Sequence, residues 1–386
     1  MRIADLKFQT PNVRFQISNF KSQSSQRRGG ESILEVLFAI MVTTIGLLGA
    51  IAVFPVASAT ARKGRLNDAM SVAGISAVHQ FDVQYMRNPN TWLYNASASP
   101  TAFSLPLTPG QAFFIDPGFL ANTFTPNALK LPTLSGQNDN QLLFPYYATA
   151  SATDRRMTRI TLKAYPTTAS VAPMLGLQAE SVFVIGDDLA YQRPDDRSLN
   201  AVQIMTPGNS RRETEGLMMW AATVAPKVNT PAGGDLYILS ILVFNRRDIS
   251  FPLDTSILDD RNEPVVNPER LVDVVGFPGG GIGGGEVLLQ TRTSRGIGDL
   301  DLRANDWVML SGARLGTNPV GPVFLWYRVA DADPDLSGPS ANQRWVTLQG
   351  PDWPLATDSP SITQATIVSG VVAVYEKTIR LDTSGL

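Results

Sequence analysis

The chain contains no cysteine, so disulfides, thiolate nucleophiles and Cys-ligated zinc are excluded. It has one histidine, His79. That excludes a two-histidine HExxH site and leaves His79 as the one base a Ser-His-Asp triad could use. A solvated surface histidine is the plainer reading of His79. Charged residues are few, 17% of 386 against 44% hydrophobic, a balance that excludes a mainly disordered chain. Long apolar runs are also few. Leu236–Phe244 and Ile367–Tyr375 stop at nine residues each, which suits buried strands and not a bilayer span. By contrast Gly (31) and Pro (27) are plentiful, so turns should be many and long helices few. The length suggests two or three domains.

Charge is unevenly placed. Residues 1–30 hold Arg2, Lys7, Arg14, Lys21, Arg27 and Arg28 against Asp5, a net of +5; with -2 overall, the remainder carries -7. A basic start on a mildly acidic body argues against nucleic acid as a partner and fits a membrane-directed N-terminus. From Val36 to Ala57 there are 22 residues without a charge, and the polar side chains among them are Thr43 and Thr44. As a helix this run would be ~33 Å long, enough for a hydrocarbon core of ~30 Å. It reads as a single-span anchor, as a secretory signal cut after Ala57-Ser58-Ala59, or as the segment described next. Arg14, Lys21, Arg27 and Arg28 before the run, against Arg62, Lys63 and Arg65 after it, give a weak positive-inside bias.

The run is preceded by Arg27-Arg28-Gly29-Gly30-Glu31-Ser32-Ile33-Leu34-Glu35. Here the sequence resembles the type IV prepilin family of pilins, minor pilins and type II secretion pseudopilins. Gly30 matches the residue before the family's cleavage point and Glu35 its glutamate, the fifth residue after the cut; Glu31 stands where the family usually has Phe. The resemblance implies cleavage between Gly30 and Glu31 by a prepilin peptidase, usually with methylation of the new amine. It also implies that Glu35 sets register against the N-terminal amine of a neighbouring subunit. Taken alone, Glu35 is equally a helix N-terminal acid favoured by the macrodipole. Glycine before the scissile bond suits a protease cleft because it lacks a Cβ. An acid held at the edge of the membrane needs a partner, and an α-amine with a pKa of about 7.7–8.0 would supply a charge at neutral pH.

Beyond the run, Leu66, Met70, Ala73, Ala77, Phe81 and Tyr85 fall on one helical stripe. A helix is therefore expected from Ser32 to about Met86, kinked at Pro55 and stopped by Arg87-Asn88-Pro89-Asn90. After residue 90 the pattern turns to strands. Ile160, Leu162 and Ala164 alternate with Arg159, Thr161 and Lys163, a half-buried strand; further candidates include Met218–Val224, Trp307–Leu310, Val323–Val329 and Ile367–Leu381. The expected fold class is α+β: a long N-terminal transmembrane and spine helix, then a large, mainly antiparallel β headgroup, with two β subdomains plausible. The expected segments are a leader at 1–30, a hydrophobic helix at 31–58, its amphipathic continuation at 59–88 and a headgroup at 89–386. A subdivision is placed near 205–215.

Gly279, Gly281 and Gly284 spell a formal GxGxxG, but a strand pattern follows where the dinucleotide fingerprint needs a helix, so a hairpin loop is expected. Asp331, Asp333 and Asp335 alternate as calcium ligands do. Leu336 and Asn342 stand where an EF-hand needs Gly and Glu, which leaves a surface calcium site or a solvated acidic loop. No other cofactor and no catalytic residue is expected. The resulting expectation is a non-enzymatic pilin-like structural subunit, a minor pilin or pseudopilin of a type IV pilus or a type II secretion pseudopilus. Its partners would be prepilin peptidase, other pilin or pseudopilin subunits and membrane lipid. It would sit in the bacterial inner membrane as a single-pass protein, with its body periplasmic or extracellular, open to extraction into a filament. The alternative is a single-span anchored extracytoplasmic binding domain or enzyme with no filament role.

Overall fold

The computed structural model describes residues 33–96, 99–102, 111–123, 143–146, 153–164, 173–174, 176–185, 189–191, 212–214, 218–228, 236–247, 267–292, 296–314, 322–334, 342–356 and 361–382. Gly30, Glu31 and Asp335 lie outside them, as does most of 205–215. The chain forms two units that part within the first helix, after Gly64.

Helix α1 runs from Ile33 to Val83, 51 residues and so about 76 Å. It contains Pro55 and is long and apolar enough to cross a membrane. Thr43 and Thr44 turn their hydroxyls back onto carbonyls one turn earlier, 3.1 Å to Ile40 O and 2.8 Å to Met41 O, so neither presents an unpaired donor to an apolar environment.

The helix ends three residues before Met86, and the stop is not Pro89. Tyr85 adopts φ 55°, Met86 N–H donates to Phe81 O (3.1 Å), and Tyr85 N–H donates to Asp82 O (3.2 Å). This is a Schellman end, closed by contact between the buried Phe81 and Met86. Leaving the helix takes Tyr85 off the apolar stripe, and it is 75% exposed. Ala73, Ala77 and Phe81 are buried as their spacing requires.

The elements that follow are β1 (Trp92–Ala96), β2 (Ser99–Ala102), β3 (Phe113–Ile115), α2 (Pro117–Thr123), β4 (Leu143–Phe144), β5 (Met157–Leu162), α3 (Gly176–Phe183), β6 (Leu189–Tyr191), β7 (Arg212–Thr214), β8 (Met218–Pro226) and β9 (Leu236–Asn245). Next come β10 (Glu269–Gly276), β11 (Gly284–Gln290), β12 (Trp307–Arg314), β13 (Val323–Ala332), β14 (Gln343–Gln349), β15 (Ser361–Val368) and β16 (Val371–Arg380). The body after α1 is therefore β-rich, and the whole is α+β.

Two assemblies dominate. One sheet has the order β16-β9-β8-β3-β5-β1-β2, with β4 beside β5; β10-β11-β14-β13-β12-β15 close into a barrel. Pairing is antiparallel in the ladders described, except that β3 lies parallel to β5. Closure leaves the barrel strands with no free edge. Val272, Val287, Val308, Leu310, Leu325, Tyr327, Val346 and Ile367 alternate into its interior, capped by Trp353 and Leu355. The glycine-rich stretch is a turn between β10 and β11, as the strand pattern after it required.

The sheet is buried on both faces. One face packs Trp92, Phe113, Ile160, Leu162, Trp220 and Ile241 against Ala77 and Phe81 of α1 and Phe183 of α3. The other packs Phe114, Phe144, Met157, Leu242 and Phe244 against Met309, Phe324 and Trp326 of the barrel. The alternation in 159–164 suggested one solvated face, but Arg159 and Thr161 are as buried as Ile160. A second layer covers the face that the polar residues occupy.

The run Ile367–Leu381 divides into two strands. β15 belongs to the barrel and β16 to the sheet, and Ser369-Gly370 carries the chain between them. Gly370 has φ 81°, where a side chain is strained, and a Cβ there would stand 3.0 Å from Asn245 O.

Candidate functional site

Glu35 lies in the first turn of α1, where a carboxylate opposes the positive end of the helix dipole. It is exposed, and among the described residues no ion pair holds it. The next charge along the helix is Arg62, after 26 uncharged residues. The side chains between them are exposed, among them Phe38 (65%), Leu48 (68%) and Phe54 (74%). A continuous apolar surface of this kind requires lipid or another protein around it. The cleavage pair Gly30 and Glu31 precedes the described residues.

From Arg65 onward α1 belongs to the body and is docked on β16. A Cβ on Gly74 would lie 2.1 Å from Tyr375 Cε2, so only glycine admits the ring. The Tyr375 hydroxyl then donates to Met70 O at 3.1 Å. At the end of the helix Arg87 forks onto Asp82 at 2.7 and 3.1 Å, with Lys377 of β16 at 3.7 Å. Burial acts to raise the Asp82 carboxyl, but the hydrogen bond and charge of Arg87 and the charge of Lys377 prevail and hold it below its ordinary value. His79 is on the exposed side of this segment.

The acidic stretch begins in the last residues of the barrel strand β13. Asp331 is exposed and accepts from Ala332 N–H at 2.9 Å. Asp333 turns its carbonyl toward Arg344, whose guanidinium donates to Asp333 O (2.6 Å) and to Leu300 O (2.6 Å). The positive group organising the backbone at this turn is therefore an arginine. Among the described residues no three carboxylates or histidines gather as a metal site.

Reading the sequence alone missed a buried charge cluster between sheet and barrel. Asp116 (after β3), Arg159 (β5), Arg247 (after β9) and Glu269 (first in β10) meet there, their side chains 0–6% exposed. Arg247 forks onto Asp116 at 2.7 and 2.6 Å, and Arg159 bonds Asp116. Arg159 also reaches Glu269 at 2.6 Å, and Tyr146 N–H donates to the same oxygen at 2.9 Å. Aromatic faces line the cations: Arg159 is 4.2 Å from the Phe119 ring centre and Arg247 is 4.5 Å from that of Phe244. Burial pushes the Asp116 carboxyl up, but the charges and hydrogen bonds of Arg247 and then Arg159 pull it further down, so it is held below the usual carboxylate range. The four residues lie at positions 116, 159, 247 and 269, and no local spacing links them.

A second cluster lies nearby. Arg292 pairs with Asp273 and Asp154, at 2.8 Å each, and Gln364 donates to Asp154 at 2.7 Å. It too joins residues before the sheet strand β5 to residues of the barrel.

No protein-family model matches the chain, and no curated protein or solved structure does either.

Proposed function

We propose that the chain is a pilin-like structural subunit, a minor pilin or pseudopilin, made as a prepilin and cut between Gly30 and Glu31 by prepilin peptidase. It is held in the bacterial inner membrane by the helix after Glu35, with its body outside the cytoplasm. From there it is assembled with other such subunits into a type IV pilus or a type II secretion pseudopilus. The observation that carries this reading is α1 itself. One helix begins at Ile33 beside a lone acid, exposes apolar side chains through Val56, and ends docked on a β-rich body at Phe81. The sequence Gly30-Glu31-Ser32-Ile33-Leu34-Glu35 just ahead of it adds the processing signal.

The role of Glu35 follows from cost. An ionised carboxylate at the head of 26 uncharged residues gains from meeting a positive group as it moves into an apolar environment. The free amine at Glu31 of a neighbouring subunit is such a group. The large β body serves recognition of other subunits, a surface or cargo.

Intact-mass measurement of the chain purified from membranes tests the reading. The expected N-terminus is Glu31, with or without one methyl. A chain that keeps its first thirty residues while functioning normally would overturn it in favour of a simple anchor, and a start at Thr60 would favour secretion. Glu35→Ala is expected to leave membrane insertion intact and to remove the chain from sheared filaments.

A further inference from the structure

The sheet and the barrel each possess an apolar core, the first shared with α1 and α3, the second lined mainly by the barrel strands and touched from the sheet side by Val228 and Ile238. The seam between them is different in kind. It combines an apolar cluster with the two charge clusters, and both of these take members from each side: Asp116, Arg159, Arg247 and Asp154 from the sheet side, Glu269, Asp273, Arg292 and Gln364 from the barrel side. We propose that the seam is an acid-released latch: the barrel is a module of its own, held on the sheet by these charges, and protonating their carboxylates frees it while both halves remain folded.

Three features support separability. The barrel is closed, so lifting it away strands no β edge. The described ends of the chain's two passages between the halves lie together: Ser369 N–H donates to Pro268 O and Asn245 N–H donates to Gly370 O, each at 2.8 Å. Arg247 closes the described part of the sheet before the barrel and Glu269 opens β10, and both belong to the four-charge cluster. That cluster holds the seam beside these passages, and the Asp154–Arg292–Asp273 cluster holds it four residues further along β10.

The direction with pH follows from what faces each acid. Asp116 faces Arg159 and Arg247; Glu269 faces the same two arginines and Tyr146 N–H. Asp154 faces Arg292, Gln364 and the charge of Arg156, and Asp273 faces Arg292. Each acid is opposed by arginine, which stays charged at any relevant pH. Protonating the acids leaves two arginines buried among phenylalanines without counter-charge, and opening the seam to water is the relief available. The cluster is already imperfectly satisfied: among the described residues Arg159 Nε and Glu269 Oε1 have no hydrogen-bond partner. Arginine stacked on aromatic rings tolerates burial but not the loss of both its anions.

Oxidative side-chain footprinting of the full chain in detergent micelles, from pH 7 to pH 3, tests the latch. Met309, Phe324 and Trp326 report the seam; Tyr327 and Trp353 report the barrel interior. The expected result is that the three seam residues gain labelling by roughly fivefold or more on acidification while the two interior residues stay protected, the signature of sub-global opening. Asp116→Asn is expected to move that onset upward by about one pH unit. Glu269→Gln serves if the first variant labels its barrel interior at pH 7. Seam and interior residues gaining labelling together in the unmodified chain, or no seam labelling down to pH 3, would overturn the proposal. So would an unchanged onset in a folded variant.

Discussion

Arg159 shows how far a single side chain can depart from its sequence pattern. In Arg159-Ile160-Thr161-Leu162-Lys163 the polar positions read as the wet side of a strand, yet Arg159 is 0% exposed between two acids and three aromatic rings. Arg159→Met should therefore be severe. It leaves Glu269 buried with Arg247 at 3.8 Å as its remaining cation, and chemical denaturation should show a loss of about 3–5 kcal/mol. Adding Glu269→Leu should recover most of that loss, because an apolar pair of similar volume removes the uncompensated charge. Gly74 carries the opposite lesson, a residue defined by what it lacks. Gly74→Ala places a methyl inside the Tyr375 ring and should cost about 1–3 kcal/mol in the same assay. In Tyr375→Leu the penalty of Gly74→Ala should largely vanish, which a double-mutant cycle would measure.

At the scale of the element, the end of α1 is set by geometry that proline does not supply. The apolar stripe, extended to Tyr85, and Pro89 both pointed to a longer helix, but the backbone leaves it at Val83 through a left-handed Tyr85. A tyrosine in that conformation bears a steric penalty that glycine does not. Tyr85→Gly should raise stability by about 1 kcal/mol, read as a higher thermal midpoint with unchanged helix content. The side chain is 75% exposed, so little packing is lost. The division of Ile367–Leu381 has the same origin. The residues favour strand throughout, and one left-handed glycine sends the first half to the barrel and the second to the sheet.

For the molecule as a whole, the buried carboxylate of Asp116 makes the fold sensitive to acid. Asp116, with its folded-state pKa held below the ordinary 3.8, contributes stability that is fully present above that ordinary value. The contribution fades as pH falls toward the depressed one, because the unfolded chain takes up the proton first. Stability should thus be level in this respect from neutral pH down to about 5 and decline below it. In Asp116→Asn that part of the acid limb should be missing, at the cost of lower stability at neutral pH; thermal melts across the pH series would show both. β3, three residues long, lies between β5 and β8, and Asp116 directly after it reaches the seam.

The sequence by itself determined the parts governed by local periodicity and composition. The uncharged run, the helical stripe that follows it, the strand character of the body and the hairpin at Gly279–Gly285 are each legible because 3.6-residue, two-residue and glycine patterns act over a few neighbours. Gly30, Glu31 and Glu35 form a contiguous motif, and the processing and register roles proposed for them rest on that motif. Tertiary structure decided the rest. Whether a polar face meets water or a second layer depends on what folds over it, and Arg159 finds partners 43 and 110 residues away. Closure of six strands into a barrel, and the return of β16 to the sheet, depend on pairings between strands far apart in the chain, which no local pattern encodes.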